Sequence, residues 1–284
     1  MSEPAASPAP PSPDLFDVEL QLLLEAVYLR YQHDFRHYAL SSLRRRLRQA
    51  MNHLRIERVS DLQDRVLREP AMFTRLLDFF TVQVSEMFRD PEQFKALREH
   101  VLPGLGTYPS IKVWVAGCSN GEEVWSLAIL LREEQLLDRC LIYGTDINAE
   151  SLRRAELGVY PLERAALFSR NYLAAGGRGS LSDHFTEASG GILFDRSLRR
   201  NMVFADHSLA TDAVFSEVHL VSCRNVLIYF DGELQDRAVG LFREALVRRG
   251  YLSLGHRESL QFGAHASAFE ALPLGGDVRL YRKW

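Results

Sequence analysis

The chain has 284 residues, 46% of them hydrophobic, enough for one large domain or two ordinary ones with real cores. A formal net charge of −3 excludes a global attraction to nucleic acid or to an anionic membrane, so any electrostatic partner must be met by a local patch. The three cysteines, Cys118, Cys140 and Cys223, are scattered without a C-x-x-C pair or a neighbouring histidine cluster, which argues against a disulfide scaffold and a zinc site and for a reducing cytoplasm.

No basic n-region with an apolar h-region opens the chain, and no apolar run is long enough to span a bilayer, so a soluble protein is expected. Residues 1–13, rich in Pro, Ala and Ser, predict a disordered tail. Asp14 is placed to cap a helix with Leu15, Val18, Leu22, Ala26 and Leu29 on its apolar face. Ser41 or Ser42 is placed to cap the next helix, whose stripe Leu40, Leu43, Leu47, Met51 and Leu54 leaves Arg44, Arg45, Arg48 and Arg55 facing out. On periodicity alone that cationic face is a solvated surface before it is a dock for an acidic helix. Helices over 61–69 and 71–80 complete a bundle around Leu62, Val66, Phe73, Leu76, Leu77 and Phe80. Helical periodicity then lapses into a connecting segment, until Asp90-Pro91 opens a helix running to about Leu102. Pro103-Gly104 and Pro109 mark a linker into an α/β part.

The organising stretch runs from Val113 to Leu127, an apolar strand that breaks at Gly117 and Gly121 and resumes at helical spacing. A second apolar run ends in Asp146, about two dozen residues on, where α/β cofactor folds place the acid for ribose hydroxyls. The spacing Gly117-x-x-x-Gly121 is not the G-x-G-x-x-G of a dinucleotide fold, and no Gly-Lys-Ser/Thr follows, so a nucleoside without a pyrophosphate fits better. A glycine turn that merely lets a helix pack closely is the structural alternative.

Asn148 or Ser151 can start a helix through Gly158, which Tyr160-Pro161 ends. Residues 174–191, rich in Gly and Ser, predict an insertion outside the core, followed by strands at 192–194 and 202–205. In residues 217–231 a strand breaks at Cys223-Arg224-Asn225, the carboxyl end at which ligands of open parallel sheets sit. A helix over 232–249, a strand over 251–254 and a hairpin turning at Gly275-Gly276-Asp277 close the sheet with an antiparallel edge. His207, His219 and His256 have no metal partner at helical or hairpin spacing and are expected to be structural, and Cys223 is expected to be a small buried residue.

Four blocks then stand in one order: Thr81 to Asp90, Ala116-Gly-Cys-Ser-Asn-Gly-Glu-Glu123, Gly144-Thr-Asp-Ile147, and Ser222-Cys-Arg-Asn-Val-Leu-Ile-Tyr-Phe-Asp231. Together they resemble the CheR family, S-adenosylmethionine-dependent methyltransferases that esterify glutamates of bacterial chemoreceptors. The resemblance runs from about residue 15 to the C-terminus. It implies an α/β, class I methyltransferase fold with a mostly parallel, seven-stranded Rossmann-like sheet in residues 104–284, an all-α docking domain with its connecting segment in 14–103, and a small inserted β-subdomain at about 174–196.

By this resemblance the family's Asn-x-Thr-x-x-x-Arg motif, which helps to bind cofactor and position substrate, falls on Gln83, Ser85 and Arg89, of which Arg89 alone matches. Glu122 takes the place of the acid that meets the methionine part of the cofactor, Asp146 that of the ribose acid, and Gly117 belongs to the cofactor loop. Ser208-Leu209 stands where the family has Asn-Leu and Arg224-Asn225 matches, all four implied to bind cofactor, and Tyr229 matches the tyrosine beside the reacting centre, where Arg89 also acts. The implied cofactor is S-adenosyl-L-methionine, with S-adenosyl-L-homocysteine as product. The implied partner is the helical cytoplasmic methylation region of a chemoreceptor, docked through Arg44, Arg45, Arg48 and Arg55, which reverses the preference for a solvated face. In some members the insertion also binds a receptor C-terminal peptide. Nucleic acid, membrane insertion and metal are not expected. Two alternatives stand beside this reading. A methyltransferase for amines would place Asn/Asp-Pro-Pro-aromatic where this chain has Cys223-Arg224-Asn225. A non-catalytic docking module that merely senses the cofactor is the other, against which the intact Glu122, Asp146 and Tyr229 argue.

Overall fold

The structure is a computed structural model that describes residues 14–83, 85–188, 190–260 and 263–284, so the tail expected over 1–13 lies outside the described residues. Contacts divide the chain into two units, one ending at Arg36 and resuming over Leu40–Phe80, the other made of His37–Ala39 and Thr81–Trp284.

The first unit holds α1 (Leu15–Tyr31), α2 (Leu40–Leu54), α3 (Val59–Arg68) and α4 (Pro70–Phe80). Asp14 caps α1 as expected, its Oδ1 accepting from Phe16 N at 3.3 Å, a contact that contributes about 1 kcal/mol. The apolar face of α1 differs from the expected one. Leu20, Leu23, Leu24 and Val27 are buried, whereas Leu15, Leu22 and Leu29 are 71%, 56% and 67% exposed. The helix carries leucine at so many positions that periodicity allows two stripes, and packing against α3 selects one. On α2, Ser41 and Ser42 lie inside the first turn, because the helix starts at Leu40. Leu43, Leu47, Ala50 and Met51 are buried there, together with Arg46, which donates to the carbonyl of Phe80.

In the second unit, α5 (Pro91–Ala96), a π-helical turn (Leu97–Val101) and α6 (Leu102–Leu105) follow one another without a break. Pro103-Gly104 therefore sits in a helix and not in a linker, and residues 81–103, grouped by sequence with the helical part, make their contacts in this unit. The chain continues through β1 (Ile111–Ala116), α7 (Glu122–Glu133), β2 (Cys140–Asp146), α8 (Ala149–Leu157), β3 (Val159–Pro161), α9 (Ala165–Ala174), β4 (Phe185–Ala188) and β5 (Gly191–Phe194). It ends with α10 (Arg196–Arg199), β6 (Met202–Asp206), β7 (Val218–Cys223), α11 (Gly232–Ala245), β8 (Leu246–Leu254), β9 (Phe269–Ala271) and β10 (Arg279–Lys283).

Seven strands form one sheet in the order β6-β2-β1-β7-β8-β10-β9. The first five are parallel, and β10 runs antiparallel to both β8 and β9, the edge expected from the terminal hairpin. Alternation along β1 shows why a continuous apolar run is needed. Val113 and Val115 pack into the cluster that contains Val124, Trp125 and Ile129 of α7, while Trp114 and Ala116 pack into the one that contains Ala238, Leu241 and Phe242 of α11. The architecture is the class I methyltransferase sheet that the resemblance implies.

Two boundaries move. The helix expected to reach Arg249 ends at Ala245, and β8 begins at once, with a register shift opposite Val218 and Leu220. The small antiparallel sheet has the order β3-β5-β4, so the insertion starts at Val159, where Tyr160-Pro161 form a strand instead of only ending a helix. Leu181, Ile192 and Phe194 are buried in the same cluster as Val113 and Trp125, so the insertion contributes to the core.

Candidate active site

The glycine turn is left-handed at three points, with φ of 71° at Gly117, 51° at Ser119 and 87° at Gly121. A Cβ on Gly117 would stand 2.6 Å from Val226 Cγ2, and one on Gly121 2.6 Å from Ala155 Cβ. Both glycines thus answer to backbone conformation and to neighbouring protein atoms, the structural alternative for this turn. The turn is held from outside: Tyr160 Oη donates to Asn120 O at 2.8 Å, and Asn120 Nδ2 donates to Gln83 O at 3.1 Å. Ser119 N donates to Asp146 Oδ2 at 2.9 Å, and Asn148 N to Asp146 Oδ1 at 3.0 Å. Burial pushes the Asp146 carboxyl above its ordinary value, and these backbone N–H groups act in the opposite direction. Among the described residues, Ser119 Oγ and Asn120 Oδ1 are buried without a hydrogen-bond partner.

The Gln83 amide is tied to its own side of the turn, donating to Thr81 Oγ1 at 2.8 Å and accepting from Ser151 Oγ. Arg164 donates to the carbonyl of Ser85 and lies 3.0 Å from Glu122 Oε1. Glu122 is 0% exposed, its Oε2 has no partner among the described residues, and burial raises its carboxyl. Arg164 thus takes one oxygen of this buried acid and leaves the other unbonded among the described residues. Its neighbour Glu123 reaches the end of β7, accepting from Ser222 Oγ and, at 3.0 Å, from Arg224 Nη1. Adjacent helical residues point about 100° apart, and the sequence does not say which of the pair turns inward.

Arg224 and Arg89 stand in opposite circumstances. The Arg224 side chain is 1% exposed and bonded to Glu123, to Asp90 Oδ2 at 2.9 Å and to Arg89 O at 2.6 Å, with its guanidinium 5.2 Å from the Phe94 ring centre. The Arg89 guanidinium has no hydrogen-bond or ion-pair partner among the described residues. It is carried between two left-handed residues, Phe88 at φ 50° and Asp90 at φ 54°. Such conformations cost about 1–3 kcal/mol each and persist only where the surroundings impose them. Here Ser126 Oγ accepts from Phe88 N at 2.9 Å, and Asp90 O accepts from Gln93 N at 2.9 Å. A cavity of about 440 Å³ opens beside Asp90, with Gln93, His256 and Asp277 in its wall.

Beyond Arg224 the chain turns through Asn225, at φ 60°, to Tyr229, which is half-buried and whose carbonyl accepts from Ala39 N at 2.8 Å. Glu258, which sequence reasoning missed, lies under this turn, 4% exposed, and collects its backbone N–H groups. The available signal was an acid three residues after Gly255, at the end of the strand next to β7. Ser208 follows β6, its N donating to Asp212 Oδ2 at 2.9 Å and its Oγ accepting from Ala210 N at 3.3 Å, while Leu209 is buried in the α11 cluster. The preceding His207 N donates to Asp146 O at 3.3 Å, which places this turn beside the end of β2. His207 and His219 are held by Ala213 O and Lys112 N, as structural histidines are, and burial pushes the Cys223 thiol well up.

Of the four arginines expected to dock a partner, Arg44, Arg45 and Arg48 lie on α2 of the first unit, and Arg55 follows it at φ 56°. Arg44 is paired with Asp17 and half-buried, whereas Arg45, Arg48 and Arg55 are exposed, Arg48 with its guanidinium 4.7 Å from the Phe16 ring centre.

Residues 18–81 match the family described as CheR methyltransferase, all-alpha domain, and residues 83–274 match CheR methyltransferase, SAM binding domain. A Pseudomonas putida protein named Cher3 is 55% identical over 267 residues, which cover 94% of this chain and 97% of its own. Chemotaxis protein methyltransferase 2 of Pseudomonas aeruginosa is 30% identical over 232 residues, 79% of either chain. The chemotaxis protein methyltransferase of Vibrio parahaemolyticus is 30% identical, over 77% of this chain and 80% of its own.

Proposed function

The chain belongs to the CheR methyltransferase family, and from that premise we propose that it esterifies glutamate side chains in the helical cytoplasmic methylation region of a bacterial chemoreceptor. Its cofactor is S-adenosyl-L-methionine, which when bound supplies a methyl group activated by the sulfonium. The residues present fit that group. Asp146 spends its bonds on backbone N–H groups, and a carboxylate has about four acceptor positions, so capacity remains for the two ribose hydroxyls. The unpartnered Ser119 and Asn120 oxygens lie in the same turn, and the buried Glu122, whose Oε2 is unbonded among the described residues, is the acid offered to the cofactor's amino group.

The acceptor carboxylate is already ionised at pH 7, so no general base is required. What the chain must supply is orientation and exclusion of water. Arg224 cannot bind it, because Glu123 and Asp90 enclose its guanidinium. Arg89 is the cation left to hold one acceptor oxygen while the other attacks, and Tyr229 is the candidate second donor. The free Arg89 guanidinium is the observation that carries this reading, since a cation suits an anionic acceptor and repels a protonated amine. Arg45 and Arg55, with Arg48 beside them, would meet acidic positions of the receptor helix. β3 and β4 each pair only with β5 among the described residues, which supports addition of a receptor C-terminal peptide as a further strand.

Calorimetric titration with S-adenosylhomocysteine tests the cofactor half. Asp146→Ala is expected to weaken binding about 100-fold or more, as loss of two hydrogen bonds to a charged group requires. Equal affinity in the variant would remove Asp146 from the site. Receptor fragments with glutamine in place of the modified glutamates test the acceptor half. Undiminished methyl transfer to them would overturn the acceptor assignment.

A further inference from the structure

We propose that Glu258 is a positioning residue for methyl transfer, an anionic clamp that sets the backbone course from Arg224 to Tyr229 and thereby the place of the Tyr229 hydroxyl. The inference rests on the acceptor reading above.

Glu258 Oε2 accepts from Gly255 N at 2.6 Å and Asn225 N at 3.0 Å, and Oε1 accepts from Val226 N at 2.9 Å and Ile228 N at 3.4 Å. Three of the four donors belong to one short segment between the end of β7 and the 3-10 turn at Leu227–Tyr229. Backbone N–H groups that converge in this way form a nest for an anion. Here the anion is a side chain of the chain itself, 4% exposed, and no salt bridge reaches it among the described residues.

The fit is specific to a carboxylate. All four of its acceptor positions face N–H donors, whereas an amide would turn a donor edge toward two of them. Gly255 belongs to the same device, because a Cβ there would stand 2.8 Å from Glu258 Oε2 and 2.9 Å from Asn225 N. The segment is fixed at one end by Arg224 in its two carboxylates and at the other by the bond from Ala39 N to Tyr229 O. Between them lies Asn225 at φ 60°, a left-handed conformation that asparagine tolerates better than other side chains and that a bond to its N–H holds in place. The Glu258 carboxylate is the group that accepts that bond. Removing its charge lets the turn relax and displaces Tyr229, while Asp146 stays bonded to Ser119 N and Asn148 N, which lie outside this segment.

The test compares the full chain with Glu258→Gln, Glu258→Asp and Gly255→Ala in three measurements: hydrogen exchange over residues 224–230, titration with S-adenosylhomocysteine, and methyl-ester formation on a receptor fragment. In Glu258→Gln, exchange at Asn225, Val226 and Ile228 is expected to rise about tenfold or more. Affinity for S-adenosylhomocysteine should stay within about twofold, while kcat falls about 100-fold, the scale of a displacement near 1 Å, with KM for the cofactor unchanged. Glu258→Asp keeps the charge and should recover part of kcat. Gly255→Ala crowds the same contact and should change exchange and kcat in the same direction, which covers a Gln variant that fails to fold. Unchanged exchange, unchanged kcat, or a loss of kcat that only follows a loss of cofactor affinity would each overturn the role. Wild-type protein that forms no ester while its turn amides stay protected would place the failure in the acceptor reading, and the role assigned to Glu258 would fall with it.

Discussion

At the carboxyl ends of β1 and β2 the Asp146 carboxylate takes its hydrogen bonds from backbone N–H groups, while at the end of β7 the Arg224 guanidinium is enclosed by the carboxylates of Glu123 and Asp90. The first arrangement leaves a net charge facing outward, since backbone donors stabilise an anion without cancelling it. The second cancels the charge and turns an arginine into a brace. The acceptor half of the proposed site therefore relies on Arg89, whose charge is spent on nothing within the described residues. A charged side chain near a strand end is thus no guide to ligand binding until its partners are known.

The contrast between the two arginines is broken most directly by removing each. Arg224→Ala removes a buried guanidinium from two partly buried carboxylates and is expected to lower stability by about 1–3 kcal/mol, measured by urea unfolding. Arg89→Ala should leave stability within about 0.5 kcal/mol of wild type. Its turnover should nevertheless fall about 100-fold, because the acceptor loses its orienting cation. If both variants lost stability equally, Arg89 would be a second brace and the contrast would be void. Tyr229→Phe is expected to cost about tenfold in kcat, one hydrogen bond's worth, with cofactor affinity unchanged. An unaltered kcat would leave Arg89 as the acceptor's sole donor.

The smallest effect is in the pH dependence of the β1–β2 half. Burial raises the Asp146 carboxyl, so on acidification it takes up a proton before an ordinary aspartate, whose value is about 3.9, would do so. A carboxyl raised on folding favours the folded chain as pH falls through that range, and this group's stabilisation is lost as pH rises. Weaker binding of S-adenosylhomocysteine in mild acid is therefore ligand loss and not unfolding at this residue. Asp146→Asn should show weak binding with no such slope, and a slope retained in that variant would assign the titration to another group.

The sheet was legible because buried parallel strands are continuous apolar runs and break where they end, as at Ala116, Asp146 and Cys223. Segments whose structure is set by distant partners were not. Val159–Pro161 is too short for a period-two signal and becomes a strand only because β5 lies beside it. The buried face of α1 was misplaced because leucines occur all round that helix, and α3 decides which of them count. In the candidate site, the blocks around Gly117, Asp146 and Arg224 stand out in the sequence through their glycines and charges. The pairing of Glu122 with Arg164, the enclosure of Arg224 and the clamp at Glu258 arise from contacts between segments far apart in the chain, which no spacing rule reports.

The central claim is that the acceptor is a carboxylate, and its most direct test is the chemistry of the transferred methyl group. Incubating the protein with S-adenosylmethionine labelled in its methyl group and a helical receptor fragment should place label on the fragment that mild base releases as methanol, as an ester requires. Label that survives base would mark an amine or amide acceptor and contradict that claim.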